Sequence, residues 1–301
     1  MRISNSILAA MAATLVLTSC NNDENENGSA EPAKYITVNT SIGSLTRTTT
    51  ANNGVQSFAD KDRISVYAWT GSSDMVDANG LVVNNSINTY DGTKWSASPQ
   101  MLWKDMITPH YFLGVYPDKA ITDFVADTYA LDATNQAQSD LLVAVNAGTD
   151  NAGFIATNTA VPLQFDHVMA KLIVNLTFRN QWATTPTVAS VTAGNLKSKA
   201  TVNYLTKSAT VTAEEATNIE LQVADANTKY HSIMVPQAGD NATITIKIGE
   251  KDYIYTGTVK LEGGKYTTVN LIVGRDELTL GSVSIHDWGA GTTINGGEAQ
   301  E

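Results

Sequence analysis

The side chains best suited to acid–base or metal chemistry show no spacing that assigns them a reaction. The four histidines, His110, His167, His231 and His286, lie far apart and do not form a metal-binding motif. Two of the 30 acidic residues could flank a glycosidic bond, but sequence spacing cannot reveal such a pair. Nucleophile-elbow, zincin and glycine-loop motifs are absent from the sequence. The residues therefore predict a protein that is not an enzyme and that holds no metal or cofactor.

The one cysteine, Cys20, stands shortly after an apolar stretch near the start of the chain. It follows Arg2 and the apolar stretch Ile7–Leu17, which has the length of a signal peptide and is too short to span a bilayer comfortably. Leu17–Cys20 (LTSC) closes this stretch. We predict a signal peptide over residues 1–19.

The LTSC sequence resembles the lipobox of bacterial lipoproteins, in which the cysteine becomes the acylated N-terminus of the mature chain. That resemblance implies acylation of Cys20 and an outer-membrane lipoprotein, anchored by acyl chains such as palmitate. A secreted protein with an unmodified cysteine is the alternative. Residues 20–33 are acidic, rich in asparagine and free of bulky apolar side chains, so they predict a disordered tether. Acidic residues behind such a cysteine also resemble a surface-export signal, although a plain solvated linker explains them equally well.

Composition limits the classes of partner and of fold. Charged residues make up 16% of the chain and the net charge is -11, which argues against a nucleic-acid partner because binding a polyanion needs a basic face. Without another cysteine the chain can form neither a disulfide nor a thiolate metal site. About 270 residues remain beyond the tether, enough for one large or two medium domains.

Short alternating segments predict an all-β fold. The clearest examples are Ala170–Phe178, Asn241–Ile248 and Lys265–Val273, in which apolar side chains occupy every second position. Further predicted strands lie at 35–40, 63–69, 110–116, 140–146, 161–165, 253–259 and 283–288. We predict two β-sandwich domains in series, an N-terminal domain over 34–167 and a C-terminal domain over 168–301.

Two groups of side chains could bind ligands, and each also has a structural explanation. Trp95 and Trp103 belong to a set of aromatics in the first half that could contact a glycan or could fill a loop-rich core. Asp60 and Asp62 could bind calcium, or their carboxylates could satisfy backbone donors in a turn.

Arg47 lies where a trypsin-like protease could cut. It is the only arginine between Arg2 and Arg63, and it follows a predicted strand and precedes a run of small polar residues. Such a loop tip is a preferred site of proteolysis, so Arg47 and Thr48 are the predicted processing residues. The alternative is an incidental loop arginine.

Several stretches together resemble one family. They are SFADKDRISVYAW (57–69), HYFLGVYP (110–117), DLLVA (140–144), VPLQFDHVMAKL (161–172), GKY (264–266) and IHDW (285–288). Taken in order, these stretches span nearly the whole mature chain. Together with the LTSC sequence, they resemble the fimbrillin (Mfa-like) lipoproteins, which are subunits of type V pili.

This resemblance implies a transthyretin-like or fimbrillin-like pair of sandwiches and assembly by donor-strand exchange. An arginine-specific protease would cut between Arg47 and Thr48, residues 34–47 would leave as part of a propeptide, and a neighbouring fimbrillin subunit would fill the vacated site. The implied location is the outer membrane, cell surface or fimbrium. The implied role is cell adhesion through an unidentified glycan or protein receptor.

The C-terminal tail departs from the pattern of a stalk subunit. Residues 289–301 are rich in glycine and contain one large apolar side chain, Ile294, which makes them a poor donor strand. The chain could therefore be a tip or accessory subunit, or residues 283–288 could serve as the donor. A surface lipoprotein that binds glycans and never polymerises is the competing hypothesis.

Overall fold

The computed structural model describes residues 34–43, 57–132 and 135–288, and it confirms the all-β prediction. Within these ranges the helical elements are three short 3-10 turns, at Ala78–Gly80, Gln136–Ser139 and Thr149–Asn151. No helix of the described ranges is long and apolar enough to cross a bilayer. Cys20, Arg47 and Thr48 lie outside the described residues, so lipid attachment and processing stay predictions.

The first half of the chain builds a seven-stranded sheet with the order β1-β8-β7-β5-β2-β3-β4. All its pairings are antiparallel except that of β1 with β8, which is parallel. The strands of this half are β1 (Val38–Ile42), β2 (Arg63–Thr70), β3 (Leu81–Tyr90), β4 (Trp95–Ser98), β5 (His110–Tyr116), β6 (Asp127–Ala130), β7 (Leu142–Asn146) and β8 (Val161–His167).

The central strands of this sheet are buried on both faces. Every residue of β5 is buried, as are the six residues that follow Arg63 in β2. Alternate side chains enter two different apolar clusters: Val66 and Phe112 lie in one, whereas Tyr67 and Leu113 lie in the other. Burial on both faces explains why these segments read as continuous apolar runs rather than as alternating strands.

The second half forms two sheets, ordered β14-β15-β9-β18-β19 and β13-β10-β16-β17, which enclose a third apolar cluster. Its strands are β9 (Ala170–Phe178), β10 (Ser190–Leu196), β11 (Lys199–Asn203), β12 (Ser208–Val211), β13 (Thr217–Glu220), β14 (Gln222–Asp225), β15 (Lys229–Met234), β16 (Ala242–Ile248), β17 (Lys251–Gly257), β18 (Lys265–Val273) and β19 (Leu278–Asp287). Leu172, Ile244 and Leu271 are examples of the side chains that these strands bury in it.

One hairpin of the second half packs against the first half. Strands β11 and β12 join β6 in a three-stranded sheet. Ala200, Val202 and Tyr204 are fully buried in the same cluster as Tyr67 and Leu113 of the seven-stranded sheet. The Tyr204 hydroxyl also donates a 2.7 Å hydrogen bond to the Asp127 carboxylate. Contacts between the halves are therefore extensive, and the domain boundary at 167/168 stays a prediction.

Gly114 on β5 leaves space for two side chains of β8, Leu163 and Phe165. A Cβ atom at Gly114 would lie 2.7 Å from Cζ of Phe165 and 3.1 Å from Cδ1 of Leu163, and both side chains are buried. We expect Gly114→Ala to lower the free energy of unfolding by about 1–3 kcal/mol, because overpacking displaces well-fitted side chains. Denaturant unfolding would measure this loss.

Gly80→Ala is the matched control for this substitution. Its added Cβ would meet Asp77 at an ordinary contact distance of 3.5 Å. We expect a change within about 0.5 kcal/mol for it. Equal stability of the Gly114→Ala variant and the unsubstituted protein would show that Phe165 and Leu163 are not held against this glycine.

Candidate functional site

Residues 34–43, here called the leading segment, form the β1 edge of the seven-stranded sheet and also contact residues near its other edge, β4. Their first part pairs with residues 101–103, which follow the edge strand β4: Ile36 N–H donates to Met101 O at 3.0 Å and Trp103 N–H donates to Lys34 O at 3.2 Å. Their second part is β1, which pairs with β8. The leading segment therefore lies between β8 and residues 101–103 and closes one side of the apolar cluster that contains Val66 and Phe112.

The side chains of the leading segment alternate between the core and solvent. Ile36, Val38 and Ile42 are buried and belong to the cluster, with exposed fractions of 1%, 7% and 8%. Thr40 occupies the remaining inward position and is half-buried, whereas 37, 39 and 41 are exposed. At about 1.5–3 kcal/mol for each buried apolar side chain, this segment contributes roughly 5–9 kcal/mol of gross apolar stabilisation.

Strand β8 forms more backbone pairs with β1 than with its other neighbour, β7. Five residue pairs join the two strands, from Val38 with Val161 to Ile42 with Phe165, whereas β7 pairs with β8 at two positions. Gly43 N–H extends the contact by donating to Phe165 O at 2.7 Å. Loss of the leading segment would therefore leave a row of β8 donors and acceptors without strand partners, next to an exposed apolar slot.

Aromatic side chains form the wall of the slot beside β1. The ring of Phe58 contacts those of Trp95, Tyr116 and Phe165 edge-to-face, with centroids 5.1–5.4 Å apart. Burial, assisted by the Asp62 carboxylate, raises the pKa of Tyr116 to about 12, so its hydroxyl stays protonated and can donate to Asp62 Oδ1 at 3.3 Å. The acceptor groove is this slot together with its two edges, β8 and residues 101–103, and these aromatic side chains.

Both tryptophans singled out from the sequence contact the leading segment. Trp95 is half-buried, and its indole N–H donates a 3.0 Å hydrogen bond to Oγ1 of Thr40. Trp103 is 7% exposed, belongs to the same cluster, and pairs through its backbone with Lys34. A glycan contact through either ring stays a prediction.

The other sequence candidates do not come together. Asp62 accepts a 2.7 Å hydrogen bond from Ala59 N–H, as a carboxylate does in a turn. Across the described ranges no group of three or more histidine, cysteine, aspartate or glutamate side chains could hold a metal ion.

Each of the four histidines contacts different residues. His110 Nε2 accepts from Lys104 N–H at 3.1 Å, and burial lowers the pKa of His110. His167 pairs with Asp140 at 2.8 Å and stacks on Trp288, with ring centroids 4.0 Å apart. Burial, with nearby lysines, lowers the pKa of His231 to about 4. His286 lies 3.0 Å from the Ser284 hydroxyl.

Sequence reasoning missed the residues that receive the leading segment. Met101, Leu163 and Phe165 are nearly or fully buried in its cluster. The VPLQF segment was predicted as a strand at 161–165, but its pattern did not identify β1 as the partner strand. Nothing in the local pattern of residues 101–103 indicated that they pair with the leading segment.

Comparisons with known proteins found a matching family and several similar folds. A family model described as fimbrillin-like matches residues 46–288. A putative cell adhesion protein from Bacteroides uniformis has a similar structure, with 19% identity, a TM-score of 0.65, and coverage of 84% of this chain and 98% of that one. A putative cell adhesion protein from Bacteroides ovatus is similar as well, with 17% identity, a TM-score of 0.67, and coverage of 85% of this chain and 98% of that one.

A fimbrial protein from Bacteroides vulgatus is also similar, at 13% identity and a TM-score of 0.52, with coverage of 85% of this chain and 99% of that one. At these identities the three structures establish a shared fold. No curated protein matched the chain.

Proposed function

Because this chain belongs to the fimbrillin-like family, we propose that it is a pilus subunit, structural or at the tip, that assembles by donor-strand exchange and mediates cell adhesion. The observation that carries the proposal is the position of the leading segment. It is an edge strand, it is paired with β8 in parallel, and it supplies buried side chains to the core. Removing it would open the acceptor groove without breaking an internal strand pair elsewhere in the sheet.

The energetics favour replacement of the leading segment over an empty groove. An empty groove exposes apolar surface and leaves β8 backbone groups unpaired, and both costs are recovered when another strand enters by β-augmentation. A strand supplied by a neighbouring subunit in head-to-tail order generates an open filament rather than a closed ring. The proposed partners are therefore other fimbrillin subunits.

Anchoring and processing complete the proposal. The precursor would reach the outer membrane through acylated Cys20 and the tether at 20–33, with residues 1–19 removed as a signal peptide. Cleavage between Arg47 and Thr48 would then free the leading segment together with the anchor. The C-terminal strand β19 is paired with β18 at nine positions, and Trp288 stacks on His167, so β19 would have to leave an established sheet to act as a donor.

A cut chain tests the exchange directly. We would replace residues 48–53 with the recognition sequence of a specific protease, cut the purified full-length chain, and add a fluorescent peptide of residues 34–43. We expect the labelled peptide to replace the bound segment and to co-elute with the cut protein, and not with the uncut protein.

A peptide carrying Ile36→Asp and Val38→Asp is the control, because charged side chains cannot enter the apolar slot. We expect it not to bind. Failure of the native peptide to enter the cut chain, or equal uptake of the aspartate peptide, would refute strand exchange at this groove.

A further inference from the structure

We propose that Trp95 is a specificity-determining residue of the acceptor groove, and that it selects an incoming strand with a hydroxyl side chain at the position now held by Thr40. This inference rests on the proposed strand exchange and adds the sequence requirement of the partner strand. It arises from the one polar side-chain contact that we assign between the leading segment and the groove, the 3.0 Å bond from Trp95 Nε1 to Thr40 Oγ1.

The inward positions of the leading segment define a four-part pattern. Three of them, 36, 38 and 42, are apolar and buried, and each of these requires only an aliphatic side chain of suitable size. The position of Thr40 differs because the groove presents a hydrogen-bond donor to it. An apolar side chain there would cover the indole N–H and leave it unsatisfied, which is costly in a partly desolvated site.

The indole ring is held in place by contacts other than those of the leading segment. Tyr90, its cross-strand partner, lies with its ring centroid 4.9 Å away, and Phe58 contacts the ring edge-to-face at 5.1 Å. Because neither aromatic belongs to the leading segment, we expect the Trp95 N–H to stay directed into the groove after that segment leaves. A preorganised donor of this kind discriminates between strands that present an acceptor and strands that do not.

The pattern also identifies the source of the incoming strand. It consists of three large apolar residues (Ile, Val, Leu, Met, Phe, Tyr or Trp) at alternate positions, with serine or threonine at the alternate position between the second and the third. Ile36–Ile42 is the only match in the chain, and β19 and the residues after it contain none. We therefore infer that a different protein chain carrying this pattern supplies the occupant, rather than the C-terminal strand of a second copy.

Peptide exchange into the cut full-length chain tests the selection. The probes are fluorescent 34–43 peptides with Thr40 unchanged, Thr40→Ser or Thr40→Val, together with a peptide of residues 278–287, and each is titrated against cut chains with Trp95 or Trp95→Phe. With Trp95 we expect the valine peptide to bind about five- to tenfold more weakly than the threonine peptide, and serine to restore most of the loss. With Trp95→Phe, which keeps an aromatic side chain but removes the indole N–H, we expect less than about a twofold difference.

Three outcomes would overturn this inference while leaving strand exchange intact. They are equal binding of the threonine and valine peptides to the Trp95 chain, an unchanged preference in the Trp95→Phe chain, and binding of the 278–287 peptide as tight as that of the native peptide. Failure of every peptide to enter would instead refute the proposed exchange. Thermal unfolding of the uncut Thr40→Val, Trp95→Phe and double variants measures the same coupling within one chain, independently of exchange.

Discussion

Replacing Arg47 by lysine is expected to leave the protein on the cell as its lipidated precursor. An arginine-specific protease recognises the guanidinium group, whereas lysine keeps the positive charge at this position. We expect nearly complete loss of the processed form in this variant. The surface-exposed protein should begin at acylated Cys20 instead of Thr48, which mass spectrometry of the mature N-terminus would establish.

Arg63→Lys is the matched control for this experiment. Arg63 begins β2 and pairs with Asp118 at 2.9 Å, so it lies in a folded strand rather than at a loop tip. Folded strands resist proteolysis because the protease must bind an extended, unpaired backbone. We expect Arg63→Lys to be processed at Thr48 as usual. An acylated Cys20 on mature, unsubstituted protein at the cell surface would contradict the processing model.

Shortening Ile36 to alanine should destabilise the uncut chain strongly and leave the assembled form unaffected. Ile36 is 1% exposed, and truncation of such a side chain creates a cavity in the cluster. We expect the free energy of unfolding of the uncut chain to fall by about 2–4 kcal/mol, as measured by denaturant titration. In assembled subunits that have lost residues 1–47, the substituted position is absent, so their dissociation temperature should equal that of unsubstituted assemblies.

Thr37→Ala is the matched control for the Ile36→Ala substitution. Thr37 points to solvent on the same segment, and we expect Thr37→Ala to change stability by no more than about 0.5 kcal/mol in the uncut chain. A loss below about 1 kcal/mol for Ile36→Ala would mean that the leading segment contributes little to the core. Persistence of the full loss in assemblies would mean that the leading segment had never been exchanged.

Local patterns predicted the strands whose two faces have different surroundings. Ala170–Phe178 and Lys265–Val273 were predicted with the bounds that the structure gives to β9 and β18. The sequence did not reveal β3, where positive φ at Asn85 and register shifts interrupt alternation. It also did not reveal short strands such as β12 and β14, because four residues are too few to show a period.

The candidate site was only partly predictable for a related reason. The first strand was expected at 35–40, and β1 spans Val38–Ile42 while Tyr35 forms a bridge with Leu102. Its partner β8 lies more than a hundred residues further along the chain, and backbone pairing over such a separation leaves no mark on either segment. The apolar composition of VPLQF is compatible with many partner strands.

By itself, the sequence determined the all-β fold, the lipobox-like cysteine, the absence of a recognisable catalytic motif and the resemblance to fimbrillins, because these depend on residue type and short-range periodicity. The tertiary structure alone decided that the leading segment is a parallel edge strand, that it lies between residues 101–103 and β8, and that Trp95 donates to Thr40. The physical reason is that strand order and side-chain contact result from packing between distant segments, and each segment alone is compatible with several partners.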